Sequence, residues 1–428
     1  MISSGLANTV LIASLLASIG AYLFVSRREG SYVNILTPSF AISIPAYYLF
    51  PLFYNNWWGT DASVYAYVYV YLTLAVENLI FAYVYTRRKA PVVRLPFGYG
   101  YGNFASLSFA TLAFAGLLYL PVLLEFPQYI LDPRQIYSQT RSGFGPLFYL
   151  SSSLAYLSVV LILFSKRSFR IKGFVVLAAA VVLSLHGSKG EVLSLLFLIV
   201  IFEIYVVGRR FKLVSAAVAS AAIGVVVLGL FAATMFLGSP LEAVEAISQY
   251  SDYTRNAMMV IDAKFPLQYG RLTYETNIIG LIPRVLMPSK PKNFGALYLD
   301  EQFYPESIDL DAGAPAFGVG VQYADFGFLA IVYLALFAAL RGWMAHLFVN
   351  RLRTTRHPGD FVMVLFLADI SLFPVGGTGW LLPETVVLAL LLRYASCIGS
   401  ERVYRERLIS RPRLAPASIL PSNGTETI

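Results

Sequence analysis

Charge is scarce in this chain, and so are the side chains that cross-link or hold metals. Only 13% of the 428 residues are Asp, Glu, Lys or Arg, there are three histidines, and there is one cysteine, Cys397. A single thiol excludes an intramolecular disulfide, so any external segment has to be held by packing and hydrogen bonds. The first apolar run has neither the basic start nor the small-residue cleavage site of a secretory signal, and it reads as a retained span. The chain carries no internal repeat of useful strength.

What the sequence has in abundance is apolar surface. With 57% hydrophobic residues and a mean hydropathy of +0.66, it reads as a polytopic membrane protein, all-α, a transmembrane helix bundle. The apolar runs are 4–25, 32–54, 63–85, 104–124, 145–164, 171–185, 192–207, 214–237, 316–340, 361–373 and 381–396. Most approach the ~20 residues that cross ~30 Å of hydrocarbon, which predicts about 11 spans. The formal charge of +8 would suggest nucleic acid in a soluble protein; here its distribution is topological, and no nucleic-acid partner is expected.

Basic residues follow every odd run. Arg27 and Arg28 follow the first, Arg87, Arg88, Lys89 and Arg94 the third, and Lys166, Arg167, Arg170 and Lys172 the fifth. Arg209, Arg210 and Lys212 follow the seventh, Arg341, Arg351, Arg353 and Arg356 the ninth, and five arginines fill the tail. The positive-inside rule then places the N-terminus outside and the C-terminus inside. Spans one to eight occupy 1–237, a long extracytoplasmic segment 238–315, spans nine to eleven 316–400, and a basic cytoplasmic tail 401–428. Of the 32 Lys and Arg residues, 23 lie inside on this assignment and nine outside: Arg134, Arg141, Lys189, Arg255, Lys264, Arg271, Arg284, Lys290 and Lys292. Topogenesis accounts for the inner set; the outer nine are the candidates for an anionic ligand.

The external segment carries six basic and ten acidic residues. Ser239-Pro240-Leu241-Glu242 is a helix start, and Met258 and Ile261 recur at helical spacing, so Arg255 is expected on a partly apolar helix near the membrane face. The prolines around Lys290 stiffen a basic turn. Runs 171–185 and 361–373 are short and end in Gly-rich breaks, at 186–190 and 374–379, which either close tilted hairpins or line a wet cavity below the outer surface. Tyrosines 65, 67, 69 and 71 read as interface anchors, and Tyr54, Trp57 and Trp58 as weaker candidates for stacking on sugars.

Several of these elements occur together in a known family. Arg141-Ser142-Gly143, Gly187-Ser188-Lys189-Gly190, Arg255, Ile282-Pro283-Arg284 and Pro288-Ser289-Lys290-Pro291 stand in order around the long segment. Gly318-Val319-Gly320 and Tyr323-Ala324-Asp325-Phe326-Gly327 follow. In this arrangement the chain resembles the O-antigen polymerases (Wzy-type oligosaccharide repeat-unit polymerases) over about residues 104–340. It departs from them at Lys189, where Arg is expected, and at Gln322, where Glu is common.

The resemblance implies a metal-independent glycosyltransferase of GT-C-like architecture in the cytoplasmic (inner) membrane, acting on the extracytoplasmic face and needing no cofactor. It would join polyprenyl-diphosphate-linked oligosaccharide units into a surface polysaccharide, with membrane lipid around it and a chain-length regulator protein as a further partner. Diphosphate contacts are expected from Arg255, Arg284, Arg141, Lys189 and Lys290, because breaking a sugar–phosphate bond concentrates negative charge that cations meet in the transition state. Arg255, Arg284 and His186 are the catalytic candidates. A base for the acceptor hydroxyl could come from Glu275, Asp309, Asp311, Asp325 or His186, and spacing does not choose among them. Glu77, Glu203 and Asp369 lie within spans and read as buried pairing groups. A ligase has the same chemistry with another acceptor, and a flippase would handle the same lipid but is expected to show repeated halves.

Overall fold

The computed structural model describes residues 2–57, 59–87, 104–130, 135–136, 144–187, 189–218, 251–282, 286–291, 293–307, 316–370, 372 and 384–396. Among them there is no strand; the protein is all-helical. Six helical stretches are long and apolar enough to cross a membrane: Ser4–Glu29, Val64–Tyr85, Phe104–Glu125, Gly145–Leu163, Gly190–Val207 and Gly320–Thr355. They are apolar on all faces, with Leu16, Leu117 and Leu124 more than half exposed, as expected where hydrocarbon replaces water as the solvent.

In chain order the helices are α1 (Ser4–Glu29), α2 (Thr37–Ile44) and α3 (Phe50–Trp57), the last two joined by a π turn, Pro45–Leu49. Next come α4 (Val64–Tyr85), α5 (Phe104–Glu125), α6 (Gly145–Leu163), α7 (Phe169–Leu185) and α8 (Lys189–Phe202), which ends in a π turn, Glu203–Val207. Short helices α9 (Asp252–Asp262), α10 (Arg271–Asn277), α11 (Ala296–Phe303) and α12 (Gly320–Phe326) lead to α13 (Ala330–Thr355) and α14 (Pro358–Leu367), and residues 384–396 form a further helix. α4 packs along both α1 and α13, and α5 along α6.

The two ends of the bundle differ in chemistry. At one end the Glu29 carboxylate at the close of α1 accepts from the Tyr205 hydroxyl at 2.9 Å and from Tyr85 at the close of α4. It also pairs with Arg353 near the close of α13 at 3.2 Å. The ends of runs one, three, seven and nine, each followed by basic residues in the sequence, thus meet around one carboxylate. At the other end Ser63 caps α4, its hydroxyl accepting from Ala66 N at 3.1 Å. The same serine donates from its backbone N–H and hydroxyl to Asp262 of α9 at 2.7 and 2.5 Å, which fastens the short helices to that end.

Two expectations from the sequence are corrected. Run nine was expected to close at residue 340 with Arg341 beyond it; instead α13 continues to Thr355 and Arg341 lies inside it. At ~1.5 Å per residue Arg341 sits roughly 16 Å from the start of α13, midway along a span. The helix does not stop there because Arg341 has local partners: it donates to the Leu367 carbonyl at 2.9 Å and pairs with Asp369 at 2.5 Å. Among the described residues of run ten, expected over 361–373, the helix spans Pro358 to Leu367, and Asp369 adopts a left-handed φ of 63°. A helix that ends this early leaves carbonyls without intrahelical partners, and the arginine satisfies one of them while complementing the negative end of the dipole. The pairing expected for Asp369 is therefore present, with Arg341; Glu203 pairs with Arg209 at 3.0 Å.

The break expected at 186–190, after run six, is shorter than that: α7 ends at Leu185, Gly187 takes φ 71°, and α8 already begins at Lys189. Met258 and Ile261 are buried on α9, as their spacing predicts. The helix start at 239–242 lies outside the described residues.

Candidate functional site

α9 is held by α12 and by the residues just before α12. Gly318 and Gly320 lie directly on its backbone: a Cβ at Gly318 would stand 2.7 Å from the Tyr253 carbonyl oxygen, and one at Gly320 2.8 Å from the Ala257 Cα. Gly318 also has φ 49°, which glycine adopts without strain. These contacts fall on either side of Arg255, so the Gly-Val-Gly element is the platform under that arginine. Asp325 of α12 binds the first turn of α10, accepting from Leu272 N at 2.9 Å, Thr273 N at 2.7 Å and the Thr273 hydroxyl at 2.6 Å. Replacing Gly320 by Val should force α12 off α9 at a cost of about 1–3 kcal/mol. The expected outcome is a lower unfolding temperature in detergent together with loss of activity; an unchanged melt would contradict the close approach.

Arg255 opens onto a cleft of about 410 Å³ at this end of the bundle, walled by α9, the α3 end with the 59–62 turn, α4 and Tyr304. That volume is within the roughly 300–1,000 Å³ of small-molecule sites. The guanidinium carbon lies 4.0 Å from the Tyr54 ring centroid, a cation–π contact, and Nη1 is 3.5 Å from Asp252 Oδ1. With 42% of its side chain exposed, Arg255 keeps donors free to meet a ligand at the mouth. Burial pushes the Asp252 carboxyl up from its ordinary value, and Arg255 opposes that shift. Burial likewise raises the Tyr304 phenol, with the nearby Asp252 charge adding to it.

The rest of the cleft wall combines aromatic, amide and hydroxyl groups with the carboxylates of Asp61 and Asp262. Asn55 donates to the Tyr67 hydroxyl at 2.6 Å, and Tyr304 donates to Asn256 Oδ1 at 2.7 Å while Asn256 Nδ2 donates to the Ala316 carbonyl at 3.0 Å. Thr254 donates to the Ser251 carbonyl at 3.0 Å. Asp300, on α11 beside Tyr304, is pushed up to about 7 by burial.

The other candidates are placed as follows. Arg141 and Arg284 lie outside the described residues, as do Asp309, Asp311 and Trp58. Lys189 is the first residue of α8, and its side chain is likewise outside them. Lys290 is buried, its ammonium donating to the Gly280 and Ile282 carbonyls at 3.0 Å each and lying 4.5 Å from the Phe294 ring centroid. His186 is fully buried between Tyr119, stacked at 4.1 Å, and Phe148 at 4.5 Å; Nδ1 bonds the Val182 carbonyl at 2.7 Å, and it is not on the cleft wall. Glu275 pairs with Arg271 at 2.7 Å and accepts from Gly295 N at 2.8 Å, and Asp325 is engaged by α10, so both carboxylates serve the scaffold. Trp57 stacks on Phe53 at 5.7 Å.

The structure therefore joins Arg255 to Tyr54 and adds residues the sequence reading did not single out for a site: Asn55, Tyr67, Tyr71, Thr254, Asn256 and Tyr304. A signal for two of them was present, since Tyr67 and Tyr71 are four apart and share a helix face.

No family model matches the chain, and no solved structure does. Two curated proteins are similar to it, an O-antigen polymerase of Salmonella typhimurium (strain LT2) and an O-antigen polymerase of Salmonella typhi. Each is 35% identical over 386 residues, which covers 88% of this chain and 92% of the relative.

Proposed function

The chain belongs to the O-antigen polymerase family, and from that membership we propose that it carries out its reaction at the Arg255 cleft, on the extracytoplasmic face of the inner membrane. It is a multi-pass membrane glycosyltransferase that polymerises lipid-linked oligosaccharide repeat units into O-antigen. In the reading we favour, the chain has about eleven spans, with 238–315 as an extracytoplasmic catalytic segment and 401–428 as a cytoplasmic tail. The meeting of four basic run ends around Glu29, at the end away from Asp262 and Ser63, supports that orientation.

A hydroxyl of the incoming unit attacks the anomeric carbon of the growing chain's first sugar. The bond from that carbon to the diphosphate oxygen breaks, and its electron pair leaves with the polyprenyl diphosphate. The hydroxyl proton passes to solvent or to a base. Negative charge on the leaving group rises through the step, so a cation already positioned beside it lowers the barrier without reorganising. Arg255 is that cation, with Arg284, Arg141 and Lys189 as further diphosphate contacts. Tyr54 orients the guanidinium plane from below, which lysine could not reproduce. Lys290, turned toward two carbonyls, shapes the turn that follows α10.

The observation that carries the reading is Arg255 lying over the Tyr54 ring at the mouth of a cleft between α9, α3 and the start of α4. Purified protein given lipid-diphosphate repeat units should yield a ladder of glycans one unit apart. A single transfer to a different lipid acceptor would point to a ligase, and movement of the lipid across the bilayer without transfer to a flippase; either would overturn the reading.

A further inference from the structure

Glycosyl transfer to a hydroxyl releases a proton, and the described groups that the sequence offers as a base do not stand ready to take it. Glu275 and Asp325 are bound into the scaffold, and His186 is off the cleft wall. Two carboxylates that the sequence reading passed over lie on the wall itself, Asp61 and Asp262. Asp262 is committed, since both of its oxygens accept from Ser63. Asp252 lies against Arg255 and is not on the wall. Asp61 differs from all of these: it is exposed, and its side chain makes no hydrogen bond or ion pair among the described residues.

The turn that carries Asp61 is fixed on both sides. Gly59 takes φ 78° and donates to the Asn55 carbonyl at 3.2 Å, Ala62 N donates to the Thr60 hydroxyl at 3.3 Å, and the Ala62 carbonyl accepts from Ile2 N at 3.0 Å. A carboxylate on a backbone held in this way needs little reorganisation to meet a hydroxyl in the cleft. Asp61 stands on the 59–62 turn and Arg255 on α9, so different elements present the two charges to one cavity, and no ion pair ties them to each other. We propose that Asp61 is the general base of the transfer. It accepts the proton of the acceptor hydroxyl as that oxygen bonds to the anomeric carbon. The bond from that carbon to the diphosphate oxygen breaks in the same step, and its electron pair leaves on the diphosphate beside Arg255. Asp61, open to solvent, then returns the proton to water. As the leaving bond stretches, the anomeric carbon gathers positive charge, which a nearby carboxylate also favours. This rests on the Arg255 cleft as the site of reaction and adds the base to it.

Asp61→Asn tests it, because the amide keeps the shape and cannot take the proton. The full-length protein in nanodiscs is given lipid-diphosphate repeat units, and the variant is expected to lose about 10²–10⁴-fold in maximal rate. Binding of the repeat unit should stay within about twofold of wild type, as for a group that acts only in the transition state. Asp61→Glu should keep part of the rate. The wild-type rate should fall toward low pH as Asp61 takes up a proton, and that acid limb should be missing from what remains in Asp61→Asn. The described titratable and charged groups that share the cleft are Arg255 and Asp262 of α9, Tyr54 of α3, Tyr67 and Tyr71 of α4, and Tyr304. Arginine and phenols keep their protons throughout that limb, which leaves Asp262 and, beside Arg255, Asp252 as rival sources. Asp252→Asn and Asp262→Asn should each retain the limb, and Asp262→Asn should lower the unfolding temperature because it loosens Ser63. Wild-type rates in Asp61→Asn, an acid limb unchanged in it, or a loss that lies wholly in binding would each overturn the base. If the wild type builds a ladder and Asp61→Asn does so equally fast, the base falls and the polymerase reading stands. If the wild type makes a single transfer to another lipid and Asp61→Asn loses that transfer together with the acid limb, the polymerase reading falls and the base stands. A wild type that transfers nothing overturns both.

Discussion

Arg255→Ala is expected to lower the rate of polymer formation by about 10²–10³-fold, the loss typical of removing one positioned donor from a developing negative charge. The amount of protein in the membrane should not change. Arg255 is half-exposed, and it contacts the Tyr54 ring and an Asp252 oxygen at 3.5 Å. An exposed pair of that kind contributes about 0–1 kcal/mol, too little to unfold a bundle of this size. Arg255→Lys keeps the charge and loses the planar stack, so it should fall between wild type and alanine. The check is a time course of glycan ladders from membranes with matched immunoblot levels. Wild-type ladders from Arg255→Ala would remove the arginine from the chemistry and leave the cleft without its cation.

Tyr54→Ala provides the companion measurement for that assignment. Without the ring below it, the guanidinium is free to rotate away, and the loss should appear in the maximal rate more than in substrate affinity. A positioning residue leaves that split, whereas one that only fills space would lower protein level instead.

Much of the framework was legible because apolar runs long enough to cross a bilayer have few alternatives to a helix. The positions of Met258 and Ile261 on α9 followed from spacing in the same way. Boundaries were legible only where no distant partner intervened. Arg341 looked like a loop residue because an arginine in the middle of a span costs free energy when alone; its partners, the Leu367 carbonyl and Asp369, come from another helix end that the sequence does not place next to it. The Gly318-Val319-Gly320 element was visible as a pattern, but its purpose depends on a 2.8 Å approach to Ala257, a long-range contact. The cleft was the least legible part. Tyr67 and Tyr71 sit among tyrosines that composition assigns to the membrane interface, and only the fold shows which of them turn inward.

Asp360→Ala should deplete the protein from the membrane while leaving the cleft chemistry of the surviving molecules intact. Asp360 is completely buried in the first turn of α14 and joins three helices. Its Oδ1 accepts from Arg351 Nε of α13 at 3.2 Å and from Arg393 of helix 384–396, and its Oδ2 accepts from the Thr355 hydroxyl at 2.8 Å. Arg351 and Arg393 have only 10% and 4% of their side chains exposed. Removing the carboxylate therefore leaves two guanidinium groups close together with their shared counter-charge gone, in a place where water cannot replace it. Breaking a buried ion pair from one side typically costs about 3–5 kcal/mol, a large part of the about 5–15 kcal/mol that holds a folded domain together. Asp360→Asn keeps the acceptor oxygen but not the charge and should be intermediate. Replacing Asp360 and Arg393 together by leucine should recover part of the loss, because one of the two stranded charges goes with its partner. Immunoblots of membranes and thermal unfolding in detergent read the effect. If Asp360→Ala accumulates and melts like the wild type, the carboxylate does not hold these three helices together. If the leucine pair is no better than Asp360→Ala, the cost lies in lost packing at the α14 start, where a Cβ on Gly359 would already stand 2.6 Å from the Ala389 carbonyl oxygen.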